Sequence, residues 1–332
     1  MEQGDGKALL EERWIEEQTR IAQAVIDTDD ASWVLDAAHH AIPPPSPSSG
    51  DVNEDVKDPT PDRARSLPGA AASGSSSYGA GGEGGTPPSP PPPPMERCLL
   101  KLVGGVDISF VKDSEENACA SLVVLAYPSL VKVYEAYERV TMSHPYVSGF
   151  LAFREVDHLA RLVSQLRRER PDLEPDVTFV DGNGRLHPRG AGLACHFGVA
   201  TGLRTVGLGK TFLHVDGLTK RGVRERVQAL LAAGEREMPL LGASGTVWGM
   251  ALVPKEKEGK RAGVVSSPVF VSVGHRVSLE TCVALTKAVG RYRVPEPIRQ
   301  ADMRSREVIR EWLLENRGKE EAGDKAPPTS PS

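Results

Sequence analysis

The chain has 332 residues, 39% apolar and only 5% aromatic, with 33 glycines and 27 prolines, so an ordinary core fits part of its length but not all of it. No apolar run approaches the ~20 residues of a membrane-spanning helix. The acidic start Met1-Glu2-Gln3-Gly4-Asp5 is unlike a signal or transit peptide, so a soluble intracellular protein is expected. The net charge of −5 hides a division: residues 1–95 carry 6 Lys/Arg against 16 Asp/Glu, and the remainder holds 34 of the 40 basic and 29 of the 45 acidic side chains. A mildly basic C-terminal two thirds admits an anionic partner such as nucleic acid without requiring one. Cys98, Cys119, Cys195 and Cys282 lie far apart with no C-x-x-C pair, which excludes a zinc ribbon and makes them reduced packing residues.

Residues 1–37 come first. Leu10, Trp14, Ile21 and Val25 fall at helical spacing within 7–28, which predicts an amphipathic helix packing on the main domain. From Ala38 to Pro94 the composition collapses to Pro, Gly, Ser and Ala, with 14 of the prolines and Tyr78 as the only aromatic residue. Such a segment buries too little apolar surface to offset its ordering entropy. It is predicted to be a disordered insertion, serving as a spacer or, as the less simple reading, as a ligand for proline-binding modules.

The main domain is predicted over 95–318. Val103–Val111, Ala118–Tyr127 and Leu130–Met142 read as three antiparallel strands. Val156, Leu159, Leu162, Val163 and Leu166 mark a helix, Asp176–Val180 a buried strand, Gly190–Leu203 a helix and Thr205–Gly207 a strand. Val223–Ala233, Ser278–Val289 and Asp302–Asn316 read as helices, and Thr246–Val253 and Val269–Val273 as strands. A mixed α/β sheet flanked by helices follows. Residues 319–332 read as a tail.

Three carboxylates stand at the edges of buried elements: Asp107 after Val103-Gly104-Gly105-Val106, Glu155 at the mouth of a helix, and Asp181 before Gly182-Asn183-Gly184. Gathered together they would repel unless a hard divalent cation, Mg²⁺ or Mn²⁺, neutralised them. A salt bridge, a helix N-terminal charge and a turn cap are the plainer roles, and spacing alone favours them. Lys210 and His275 sit at strand ends, where Lys suits a phosphate and His a metal or water, or where both are simply solvated or structural. Gly207-Leu208-Gly209-Lys210-Thr211 is half of a phosphate-binding loop, but position 204 is Arg204 where the leading glycine belongs, and the nucleotide-binding reading fails.

Several blocks resemble, in order, the signatures of the endonuclease V family: Val106-Asp107-Ile108-Ser109-Phe110, Pro145 to Glu155, Asp181-Gly182-Asn183-Gly184 with His187-Pro188-Arg189, Gly207 to Lys210, Gly274-His275-Arg276, and Tyr292 to Asp302. The resemblance implies a ribonuclease H-like fold. It also implies a Mg²⁺-dependent endonuclease, with Mn²⁺ as a substitute, that reads hypoxanthine (inosine). Such enzymes cut the second phosphodiester 3′ to that base, leaving 3′-hydroxyl and 5′-phosphate ends. By resemblance Asp107, Glu155 and Asp181 bind metal, and Lys210 and His275 support catalysis. Pro145, Tyr146, Val147 and Ser148 resemble the wedge that fills the helix, while Gly149, Leu151, Gly182, Gly192, Leu193 and Leu213 resemble the base pocket.

Ser148, in place of the proline of bacterial relatives, resembles animal and plant members, which favours inosine in single-stranded RNA. The resemblance implies a monomer acting on inosine-containing RNA or DNA away from membranes, in the cytoplasm or nucleus, the nucleolus included. The mixed-charge run Lys255 to Arg261 reads as an exposed loop rather than a nuclear signal. A non-catalytic inosine-binding module and a hybrid-cleaving ribonuclease H-like nuclease are the rival readings.

Overall fold

The structure is a computed structural model that describes residues 2–34, 97–144, 147–254 and 267–323. The 38–94 insertion, Pro145 and Tyr146 of the wedge, Lys255 to Arg261 and the end of the tail lie outside the described residues. Among the described residues no helix is long and apolar enough to cross a membrane.

An antiparallel meander opens the main sheet: β3 (Leu102–Phe110), β4 (Asn117–Ala126) and β5 (Val131–Thr141). The chain then crosses through helix α2 (Ala152–Glu169) to β6 (Val177–Asp181), and through α3 (Leu193–Thr201) to β7 (Thr205–Gly209). Both β6 and β7 run parallel to β3. After α4 (Lys220–Ala232) come the hairpin β8 (Glu237–Leu241) and β9 (Val247–Leu252), then β10 (Val269–His275), α5 (Leu279–Ala288) and α6 (Glu296–Gly323). The strand order is β5-β4-β3-β6-β7-β10-β9-β8. The expected mixed sheet is present, with one difference: beyond β7 the strands turn antiparallel again, β10 pairing with β7 head to tail.

The sheet is buried on both faces because its central strands alternate apolar side chains in both directions. Val106, Leu122, Val124 and Val180 pack on one side with Val156, Leu159, Leu162 and Phe197 of α2 and α3. Val103, Val123, Phe179 and Val271 pack on the other with Leu285, Ile298 and Ala301 of α5 and α6. Thr219 and Ser278 cap α4 and α5 with their hydroxyl oxygens, each accepting a backbone N–H from the first turn.

The N-terminal segment folds onto this body. Helix α1 (Glu2–Ala24) buries Trp14 and Ile21, with Val25 just beyond it, as its spacing predicts. It ends before Ile26 because the following residues are drawn into other bonds. Asp29 accepts from Ser278 N–H and the Thr281 hydroxyl at the start of α5, and Asp30 pairs with Arg204 and Arg276. Strand β1 (Ser32–Val34) then pairs in parallel with β2 (Arg97–Leu99). At the other terminus α6 starts ahead of the predicted Asp302, because Pro297 is tolerated in a first turn. It runs to Gly323, into the stretch expected to be a tail, since Lys319-Glu320-Glu321-Ala322 are good helix formers.

Candidate active site

The register of β3 against β6 pairs Gly105 with Phe179 and Val106 with Val180, so Asp107 and Asp181 follow side by side at the ends of adjacent parallel strands. One strand further, β7 pairs Leu208 with Asp181 and hands Lys210 to the same edge. The Lys210 ammonium bonds Asp181 Oδ2 at 2.5 Å. Asp107 Oδ2 accepts hydrogen bonds from the Ser109 and Ser305 hydroxyls, each at 3.1 Å. Ser305 belongs to α6, which reaches Asp107 because β3 carries Gly105: a Cβ there would stand 2.1 Å from the Pro297 carbonyl oxygen. That close approach also brings Asp302, one turn before Ser305 on α6, to the same cleft. Asp107, Asp181, Lys210, Asp302 and Arg306 together line a cavity of about 360 Å³.

Glu155 does not line this cavity. It is buried in the first turn of α2, close enough to the two strand-end acids to feel the charge of both. Burial, then the charges of Asp107 and Asp181, push its carboxyl up to about 8 against the opposing Arg154 guanidinium. Asp107 is likewise pushed up to about 8, first by burial and then by the hydrogen bond and charge of Asp181, with Lys210 opposing. For Lys210, burial disfavours the ammonium, but Asp181, Asp107 and Asp302 outweigh it and hold the amine above its ordinary range. Several acids therefore share too little positive charge, the electrostatic condition that a bound cation relieves.

The donors fit a hard cation of the Mg²⁺ class, since those lining the cleft are carboxylate oxygens with no sulfur among them. Among the described residues no group of three His, Cys, Asp or Glu closes tightly enough to encage an ion with protein atoms alone. An ion held by Asp107 and Asp181, with Asp302 and Glu155 in support, would complete its shell from water and phosphate, the usual habit of Mg²⁺.

His275 is the sequence-predicted site residue that the structure takes elsewhere. Because β10 runs antiparallel to β7, His275 pairs with Thr205 at the start of β7, the end opposite Lys210. Its Nδ1 accepts the Ile26 N–H at 3.3 Å, and burial with the neighbouring Arg276 charge pushes the imidazole below its ordinary range, against the pull of Asp30. Asp302 takes the place among the cleft groups that sequence reasoning gave to His275. The available signal was its position closing the block Tyr292 to Asp302.

The remaining expected residues fall in two groups, with Leu213 apart from both. Gly182, Gly192 and Leu193 lie together: a Cβ on Gly182 would meet Leu193 at 3.1 Å, and one on Gly192 would stand 2.3 Å from the Asn183 carbonyl oxygen. Close backbone packing at the N-terminus of α3 thus already requires Gly192. Val147, Ser148, Gly149 and Leu151 form the turn leading into α2, with Gly149 at φ +83° and Leu151 exposed. Leu213 is half-buried in the loop after Lys210.

An antiparallel meander followed by parallel strands, with acids at the ends of β3 and β6, defines a ribonuclease H-like fold. The chain belongs to the endonuclease V family, whose model matches residues 92–303. Mouse Endonuclease V is 54% identical over 214 residues, 64% of this chain and 61% of the mouse protein, so the match spans less than two thirds of that relative. A crystal structure of human ENDOV superposes with a TM-score of 0.64 at 40% identity, covering 91% of this chain and 99% of the human one. Ciona intestinalis Endonuclease V, solved with a 24mer DNA containing an inosine followed by a ribo-adenosine, gives 0.59 at 36% identity over 64% of this chain and 87% of that one.

Proposed function

We propose that the protein is a divalent-metal-dependent endonuclease that takes a flipped hypoxanthine from single-stranded RNA or DNA and hydrolyses the second phosphodiester on its 3′ side. The products are a 3′-hydroxyl and a 5′-phosphate. One observation carries this reading: Asp107, Asp181, Asp302 and Lys210 line one cleft, with Glu155 electrostatically coupled to the first two. A bound Mg²⁺ or Mn²⁺ would be held by Asp107 and Asp181, and it supplies charge neutralisation and a more acidic water. Lys210 stands where its ammonium can leave Asp181 for a phosphate oxygen. Ser109 and Ser305 fix the orientation of Asp107, and Arg306 adds a second cation at the rim.

The same cleft disfavours the non-catalytic reading. A surface meant only to bind a polyanion gains nothing from three acids that repel it. Recognition falls to the turn 147–151, facing the loop 187–192, where the family resemblance and the inosine-containing DNA of the Ciona relative support a base pocket.

The test is cleavage of matched inosine and adenosine strands, as RNA and as DNA, with Mg²⁺, with Mn²⁺ and in EDTA. Inosine-dependent cuts that need the metal and vanish in Asp107→Ala are expected. Cleavage in excess EDTA, or equal cutting of adenosine strands, overturns the reading. Faster cutting of the RNA strand is expected from the animal-like Ser148.

A further inference from the structure

We propose that Gln18 of α1 and Arg189 are a positioning pair for base reading, locking the turn 147–151 to the loop 187–192. The proposal deepens the functional reading above and rests on its assignment of that turn to the base.

Gln18 is only 2% exposed on a helix that lies far from the cleft acids in sequence, and every polar atom of its amide is used. The amide nitrogen donates to the Ala191 carbonyl and, at 3.4 Å, to the Gly149 carbonyl. The amide oxygen accepts from Arg189 Nε. Arg189 in turn donates from Nη2 to the Gly149 carbonyl at 2.7 Å and lays its guanidinium over the Phe150 ring at 4.1 Å. One carbonyl, at a residue with positive φ, is thus gripped from two elements. Gly149 is required by its φ of +83°, and a Cβ there would also push on the Arg189 guanidinium at 2.8 Å. Trp14, one turn before Gln18, stacks on Phe153 at 5.2 Å and leans on Phe150 at 5.6 Å.

A buried glutamine with three partners is costly to keep unless each partner needs holding. What it holds is the segment that leads directly into α2, four residues before Glu155. Any slack there moves the turn and the catalytic helix mouth together, and small misplacements of a reading surface carry large penalties.

The experiment compares wild type, Gln18→Ala, Arg189→Lys and Ile21→Ala on inosine and adenosine strands. It is paired with hydrogen exchange of the Phe150, Phe153 and Arg154 amides in the free protein. Ile21 is buried on α1 in a core cluster that holds no residue of the turn 147–151 and makes no side-chain hydrogen bond, so Ile21→Ala reports loosened helix packing. Gln18→Ala and Arg189→Lys are expected to lower the inosine-over-adenosine ratio of kcat/KM about tenfold and to speed exchange of those amides. Ile21→Ala should lower Tm and leave both readouts in place. Selectivity within twofold of wild type in Gln18→Ala, or an equal loss in Ile21→Ala at matched Tm, overturns the inference. A wild type with no inosine preference instead overturns the functional reading on which the inference stands. Arg189→Lys keeps the test alive if Gln18→Ala does not fold, since it leaves the α1 side of the contact intact.

Discussion

Replacing Asp107 with Asn should stabilise the metal-free protein above neutral pH while abolishing its chemistry. The folded carboxyl sits near 8 and its ordinary value is 3.8, so between those values the native state binds a proton that the unfolded chain has released. Stability therefore falls as pH rises through that window and stays low above it. The difference between those values corresponds to a ceiling of about 6 kcal/mol. Because part of the rise comes from the hydrogen bond and charge of Asp181, which an Asn also meets, a gain between about 2 and about 5 kcal/mol is expected from Asp107→Asn near pH 9, shrinking towards zero near pH 4. For a domain of this size that is at least about 5 °C in Tm. The assay is urea unfolding in EDTA across this pH range, followed by thermal melts with Mg²⁺ or Mn²⁺. Metal should raise the wild-type Tm most at high pH, because it binds the native state alone, and raise the variant's less. A pH slope identical in wild type and variant, with the same metal response, would refute the charge argument.

Other expectations concern the neighbours. Lys210→Met should lower the cleavage rate by about 10²–10³, as loss of a cation poised for developing charge does, and should lower the Tm of the metal-free protein, because Asp181, Asp107 and Asp302 lose the ammonium that offsets them. Asp302→Asn should reduce metal-dependent cleavage at least about tenfold while the protein stays folded by circular dichroism, placing Asp302 in the site. His275→Ala should retain activity within a few-fold but lose about 1 kcal/mol of stability, because the partly buried hydrogen bond from the Ile26 N–H loses its acceptor. Gly105→Ala should cost about 3 kcal/mol or more in urea unfolding, and cleavage along with it, since its Cβ would displace the Pro297 backbone.

Much of the fold was legible because its signals were local. The alternation of Val103–Val111 and Ala118–Tyr127 exposes two buried strands, and the stripe from Val156 to Leu166 exposes the face of α2. Strand β8 escaped notice because Pro239 interrupts a short edge strand where only every second side chain is buried. The acids Asp107 and Asp181 were legible from their place after apolar runs. His275 was read correctly as a strand end, but which end of the sheet it occupies depends on the direction of β10, and strand direction leaves no mark in the residues themselves. Asp302 reads as a solvated helix residue, bonded to Arg306 one turn on, until the contact at Gly105 brings α6 against β3.

The parallel pairing of β1 with β2 stations Val34 beside Leu99, and Asp27, Asp29 and Asp30 fasten the preceding residues to Arg185, α5, Arg204 and Arg276. Proteolysis anywhere between these two strands would divide the polypeptide yet leave the amino-terminal piece seated by those ties. Two separately expressed fragments are therefore suited to reassemble into a working whole.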